Sequence, residues 1–459
     1  MYFTFDGVPA GSPAHILMLS LIATATGIVL LIAFILLRRA YRNRYFLKRD
    51  RRIQFIHHNW QGILSGEIPV QYWFSSKMDR NIVEKVLLDR IAAAESGEIQ
   101  ALQEFARHSG LRDRRMHQVR HGRGWNRRLA LLALGRMQLP ESVPALSEAL
   151  SDPSDETVVD AIRGLGRVGT PEAGRNIILH VSRKPDQRPL RTVMDALAQC
   201  YASEPQLLLA EVHQADDVLR PILARALAEV ADQGINSNLA DLALDPLAEV
   251  RASAARIISS VKPPFTLNIL QSLTDDSEWF VRLRAAAAIG TLRDKNGIPM
   301  LVTLLCDPNR FVRLRAASEL VCFKGEEEWI IRLAMETRDL YAMQALISEF
   351  ERSGRLSEIV DGLAVDAPES SIESFLLAVL QNGFVGIITH LLLNHPADRV
   401  RMRLAGILMR SKDASLMEYL THFQVTGLNK VQLGLLHWVA SGLENSGELH
   451  SPVTENVSA

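Results

Sequence analysis

The sequence predicts an all-α fold: an α-solenoid of about eleven short helical hairpins preceded by one transmembrane helix. Three observations carry that expectation. Val250, Val281 and Val312 recur at a fixed interval of 31 residues, each followed by Arg and, three residues later, by Ala. Asp-containing turns (Asp245-Pro246, Asp275-Asp276, Asp307-Pro308) precede the three copies. Near the front, Ile16 to Leu37 runs for 22 residues without a charged side chain.

The repeat extends beyond these copies. Taking the Arg after the Val as reference, an equivalent position recurs at Arg128, Asp160, Arg191, Arg220, Arg251, Arg282, Arg313, Met343, Glu373, Arg401 and Gln432. Within a unit, an apolar helix such as Gly297 to Leu305 leads through an Asp turn into an Ala-rich helix. Pro near a helix start and Asp at its cap stand where their backbone chemistry suits them. One hairpin cannot bury its apolar face alone, so stacking must supply the core, and the Ala run 285–288 allows close helix approach. Five arginines of this series (Arg220, Arg251, Arg282, Arg313, Arg401) are expected to pair with the Asp of a neighbouring turn, Asp245, Asp275 or Asp307.

The strings VRASAARI, VRLRAAAAIG and VRLRAASEL, with the Asp turns before them, resemble HEAT repeats, in particular the short kind found in bilin lyases. The pattern is clearest over Asp275 to Gly290 and Asp307 to Leu320, and weaker over Asp216 to Val230 and Pro396 to Leu408. The resemblance implies an architecture and a long concave binding surface; the repeat brings no catalytic residues with it.

The apolar run matches a bilayer core, about 33 Å long as a helix. Fourteen of its residues are Leu, Ile, Val or Phe, favouring insertion by about −4 to −8 kcal/mol. Arg38, Arg39, Arg42, Arg44, Lys48, Arg49, Arg51 and Arg52 follow it, opposed only by Asp50, whereas Met1 to Ala14 holds Asp6 and no Lys or Arg. This bias puts the N-terminus outside and everything after the span in the cytoplasm, at a bacterial inner membrane, with the eight basic residues against anionic lipid. A cleaved signal peptide would place its charge before a shorter run. The expected organisation is an outer tail (1–14), the span (15–37), a basic juxtamembrane segment (38–52), a helical linker or cap (53–124), the repeats (125–443) and a disordered tail (444–459).

Three cysteines without paired spacing (Cys200, Cys306, Cys322) exclude a disulfide framework and a C-x-x-C metal site, and read as buried thiols. The net charge of −1 conceals an asymmetry. Residues 1–128 hold 20 Lys and Arg against 10 Asp and Glu, and residues 129–459 hold 31 against 42. A second basic cluster comprises Arg107, Arg112, Arg114, Arg115, Arg120, Arg123, Arg127 and Arg128, opposed by Asp113. It is either a solvated cap on the first repeat or a dock for an acidic or phosphate-bearing partner, to which the Arg fork is suited.

In the linker, Asp79 to Ala94 has amphipathic spacing and Ala101 to His108 forms a second helix after a break at Glu95 to Glu98; Tyr72-Trp73-Phe74 reads as cap core or interface aromatics. His117 and His121 stand at i, i+4 but lack a third ligand among the surrounding arginines. Gly164-x-Gly166-x-x-Gly169 ends a helix rather than opening one, so it is a repeat turn and not a dinucleotide site. No catalytic, cofactor or metal residue is identified.

The function expected is a membrane-anchored cytoplasmic scaffold or adaptor that binds a protein partner, a glycosyltransferase or signalling complex being the kind of client that suits it. The expected contacts are Arg112, Arg114, Arg115, Arg120 and Arg123, with a groove stripe of Arg284, Arg315 and Arg403. One alternative is a bilin-lyase-like protein that binds a tetrapyrrole. Another is nucleic-acid binding through the Arg107–Arg128 cluster, against which the acidic repeats argue.

Overall fold

The computed structural model describes residues 13–183, 189–235, 239–364, 371–381, 383–411, 416, 419–420 and 428–447. All regular structure among them is helical. The outer tail, apart from Pro13 and Ala14, and residues 448–459 of the expected disordered tail lie outside the described residues; residues 444–447 belong to the last helix. The chain divides into two compact units, 1–180 and 181–459.

The first unit opens with α1 (Pro13–His58), one helix of 46 residues that carries the apolar run and continues 21 residues past Leu37. No Gly or Pro falls between Ile28 and Trp60, so nothing in the sequence stops the helix where the hydropathy falls. The stretch from Leu17 is long and apolar enough to cross a membrane, and the described structure buries none of its apolar window. Tyr41, Tyr45 and Phe46 stand exposed just after it.

A cap follows, built from α2 (Trp60–Leu64), α3 (Lys77–Ala93), α4 (Ser96–His108) and α5 (Leu111–His121). Ser76 starts α3 with a capping box: its hydroxyl accepts from the Asp79 amide, and the Asp79 carboxylate accepts from the Ser76 amide. Helix α4 begins at Ser96, five residues earlier than the sequence suggests, because the chain breaks only at Ala94-Glu95. Trp73 is buried, donates its indole N–H to the Ile68 carbonyl and lies 5.4 Å from the Phe105 ring, while Tyr72 stays exposed. Of this segment Trp73 is cap core, Phe74 is half-buried against it and Tyr72 is on the surface.

The first hairpins are α6 (Gly124–Met137) with α7 (Val143–Glu148), and α8 (Asp155–Val168) with α9 (Pro171–Arg183). Helices α6 and α8 cross at glycines: a Cβ on Gly135 would lie 2.5 Å from the Gly164 Cα. Gly169 terminates α8 at φ +72°, a left-handed cap that glycine adopts without strain, so the G-x-G-x-x-G string is a helix end.

The second unit repeats the pattern. Helices α10 (Leu190–Tyr201), α12 (Arg220–Val230), α14 (Ala248–Val261), α16 (Trp279–Leu292), α18 (Arg310–Leu320) and α20 (Leu340–Arg352) pack side by side as a row. Between them run α11 (Pro205–Gln214), α13 (Ala240–Ala243), α15 (Thr266–Thr274), α17 (Ile298–Leu305) and α19 (Glu327–Glu336). The chain continues through α21 (Arg355–Asp361), α22 (Ser371–Gln381), α23 (Val385–Asn394), α24 (Asp398–Arg410) and α25 (Lys430–Gly447). The reference positions from Arg128 to Arg401 fall on alternate helices, α6 to α24, and Gln432 falls on α25. Val250, Val281 and Val312 are fully buried, as are Ala254, Ala285 and Ala316. The Val and Ala of the repeat therefore face the core, where small side chains keep neighbouring helices close.

Candidate partner-binding surfaces

The arginine of the repeat is a tie between turns. Arg251 donates through Nη1 to the Asp245 and Pro246 carbonyls of its own turn and through Nε and Nη2 to the Asp276 carboxylate of the next, at 2.6 and 3.0 Å. Arg282 repeats this with the Asp276 and Ser277 carbonyls and the Asp307 carboxylate. Arg220 reaches Asp245 at 3.5 Å, and in the first unit Arg127 ties to Asp152. The acceptor beyond Arg251 is Asp276, where the sequence offered Asp275; the working carboxylate sits two residues before the N-cap Glu278, whose amide it also accepts. The fork hydrogen bond from Arg282 holds its guanidinium above the usual range, and burial, which opposes it, is outweighed.

The second basic cluster is largely consumed inside the cap. Arg115 grips the buried Glu84 with both Nε and Nη2, at 2.5 and 2.8 Å, and donates to Gln118. Arg107 pairs with Glu141 at 2.6 Å, Arg112 with Asp113 at 2.7 Å, and Arg128 with Asp160 at 2.6 Å. Arg114 donates to Asn81 through Nη2, but its Nη1 is buried without a hydrogen bond, 3.9 Å from Glu84. Arg120 and Arg123 are exposed.

These ties leave one basic concavity of about 490 Å³, lined by Lys77, Arg114, Arg115, His117, His121 and Asn126 among others. The imidazoles of His117 and His121 lie 4.5 Å apart by centroid on its wall. Burial and the neighbouring Arg115 and Arg80 charges push the Arg114 guanidinium below its usual range. Nη1 itself is sealed from solvent beside Glu84, so an anion entering there would meet the exposed Lys77, His117 and His121. Lys77 and Asn81 were not legible as members, because they come from α3, more than thirty residues before Arg114 in the sequence.

The juxtamembrane cluster also divides. Arg52 donates to the buried Asp79 at 2.8 Å and to the Tyr72 carbonyl at 2.6 Å, with Phe55 under its guanidinium, so it belongs to the joint between α1 and α3 and not to a lipid-facing set. Arg49 pairs with Asp50. Arg38, Arg39, Arg42, Arg44, Lys48 and Arg51 are exposed or nearly so.

In the second unit a groove of about 420 Å³ crosses α10, α12, α14 and α16, lined by Met194, Arg225, Glu229, Arg256, Phe280 and Arg284 among others. Arg256 holds Glu229 with both nitrogens, at 2.5 and 2.9 Å. Arg284 is exposed in that groove, and Arg315 is exposed but paired with Glu319 at 2.8 Å. Arg403 departs from the expected stripe: it is half-buried and reaches the buried Glu373 at 3.3 Å. The cysteines depart as well, since Cys200 is buried, Cys306 half-buried and Cys322 exposed. Among the described residues no cluster of His, Cys, Asp and Glu has metal-ligating geometry.

Alternate helices in register, tied turn to turn by Arg–Asp forks, define an α-helical repeat protein. Residues 113–198, 205–288 and 266–339 match the HEAT repeats family, and the chain carries HEAT repeats over 113–339. No curated protein matches the chain. Among solved structures, an engineered protein from a structural genomics consortium is 16% identical over 81% of this chain and 97% of its own, with a TM-score of 0.28. Kap121p is 12% identical over 87% of this chain and 49% of its own, with a TM-score of 0.37. Neither overlay is close enough to bear on function.

Proposed function

We propose that this protein is a single-pass membrane adaptor whose HEAT repeats hold an acidic protein partner at the cytoplasmic face. The observation that carries the reading is α1: an apolar helix bare of any covering in the described structure, continuous with a stem that is bonded to the cap. Exposed Tyr41 and Tyr45 suit a bilayer interface, where aromatic rings with a polar edge are favoured. The basic concavity of the cap, with Lys77, His117 and His121 exposed on it, is the surface best suited to an acidic partner. A membrane-bound glycosyltransferase or signalling complex remains the kind of client this arrangement suits, by analogy of architecture alone.

The test places a photoreactive side chain at Asn126 in the full-length protein, in native membranes. A discrete protein adduct is expected, lost on charge reversal at Lys77→Glu with His121→Glu. Reversal of Arg114 or Arg115 would be uninformative, since it strands the buried Glu84. Adducts to lipid only, or an adduct indifferent to the reversal, would remove the concavity as the contact.

A further inference from the structure

From α14 to α20 the Arg–Asp series lacks one rung. In α14 and α16 the repeat arginine uses Nη1 for two carbonyls of its own turn and Nε with Nη2 for the carboxylate of the next turn. In α18, Arg313 keeps the first half: Nη1 donates to the Asp307 and Pro308 carbonyls at 2.8 and 3.1 Å. Among the described residues no carboxylate lies within ion-pair distance of it. The reason is in the sequence. The rung carboxylate stands two residues before each N-cap, as with Asp276 before Glu278 and Asp307 before Asn309. Before the α20 N-cap, Asp339, that place is taken by Thr337, which accepts the Asp339 amide and donates to the Ala334 carbonyl. Asp339 itself caps the Ala342 amide.

The open fork lies among exposed apolar side chains. Arg313 stacks on Tyr341 at 5.1 Å, and Tyr341 and Leu340 are 64% and 65% exposed. Phe311, two residues before Arg313, is 62% exposed and lies 5.9 Å from the Trp279 ring. Exposed Arg338 adds a cation in the same turn. A large apolar patch at one edge is a mark of an interaction site, and a guanidinium with two free parallel donors selects a carboxylate.

We propose that Arg313, with Phe311, Leu340 and Tyr341, docks an acidic segment of a protein partner, whose Asp or Glu completes the missing rung and whose adjacent apolar residue covers the aromatic edge. The inference rests on the reading of the repeats as a partner-binding platform, but it names a different surface from the cap concavity and specifies the chemistry of the contact. The occupant follows from charge complementarity: the other two rungs show that a side-chain carboxylate at 2.6–3.0 Å is what this fork takes.

The test pans a displayed random-peptide library on the full-length protein in detergent, then measures synthetic versions of the selected peptides by fluorescence anisotropy. Selected sequences are expected to hold an Asp or Glu beside a large apolar residue, and amidation of that acid should weaken binding about tenfold to a hundredfold. Arg313→Gln should abolish the preference for the acid. Thr337→Asp should rebuild the rung internally, raising the melting temperature and blocking the same peptides. Peptides without a required acid, peptides that bind Arg313→Gln equally, or no selected peptide at all would each overturn the docking point. The crosslink from Asn126 would be untouched by such a failure, so the two readings fail separately.

Discussion

Gly135 and Gly164 show how single positions hold the repeats together. A Cβ on Gly135 would meet the Gly164 backbone at 2.5 Å, and backbone cannot swing aside as a side-chain tip can. Gly135→Ala should therefore push α6 from α8 and destabilise by about 1–3 kcal/mol. Gly406, in mid-helix in α24, has nothing within 4 Å of its Cβ position. Gly406→Ala should instead stabilise by about 0.5–1 kcal/mol, because only the backbone entropy changes. Thermal unfolding of the two variants decides the matter; equal shifts would refute the close crossing. At this scale sequence reading was uneven. Arg220, Arg251 and Arg282 were legible as ties because their spacing is periodic, but the same period also marked Arg313 and Arg401, which reach no carboxylate of a following turn among the described residues. Asp276 was not separable from Asp275, since which of two adjacent acids faces a fork depends on turn geometry. Arg115, Arg52 and Arg403 read as free cations because Glu84, Asp79 and Glu373 lie about 30 residues away in sequence, a distance over which no local pattern speaks.

Between elements, the joint of α1 with α3 decides whether the stem and the cap move together. Arg52 binds a carboxylate already fixed by the α3 capping box, and Asp79 accepts from Ser75 and Ser76 as well. Burial pushes the Asp79 carboxyl up, but the Arg52 and Ser76 hydrogen bonds and the Arg52 charge outweigh it and hold the group below its usual range. A depressed folded value means that the joint contributes fully above the unfolded carboxylate range, near pH 4, and weakens as pH falls through the lower folded value. Asp79→Asn should cost about 1.5–3 kcal/mol at neutral pH, the scale of a hydrogen bond to a charged group. That cost should be constant across about pH 5–8 and shrink below about pH 4. Urea unfolding at several pH values measures it, and a cost that grows toward acid would contradict the ion pair. The cap helices were visible from amphipathic spacing, yet the length of α1 was not. Hydropathy marks where a helix leaves lipid, not where it ends, and the charged stem from Arg38 to His58 contains no residue that stops a helix.

Across the whole chain, the charge is sorted: eight Lys and Arg follow the apolar run within fifteen residues, and the repeats carry the acid. The proposed cytoplasmic placement of the repeats rests on the positive-inside rule, and the cysteines supply a direct test of it. Burial pushes the Cys200 thiol up to about 12, leaving essentially no thiolate at neutral pH, and burial also raises half-buried Cys306. Cys322 alone is exposed. In intact cells a membrane-permeant maleimide should label the protein mainly at Cys322, while a charged, impermeant maleimide should leave it untouched until the cells are lysed. Thr4→Cys, in a background with Cys322→Ser, should reverse the pattern and react with the impermeant reagent in intact cells. Labelling of Cys322 from outside would invert the topology and put the basic stem, the cap and every repeat on the other side of the membrane. Every partner surface described above would then face a different set of molecules, so this experiment determines which compartment has to be searched for the partner.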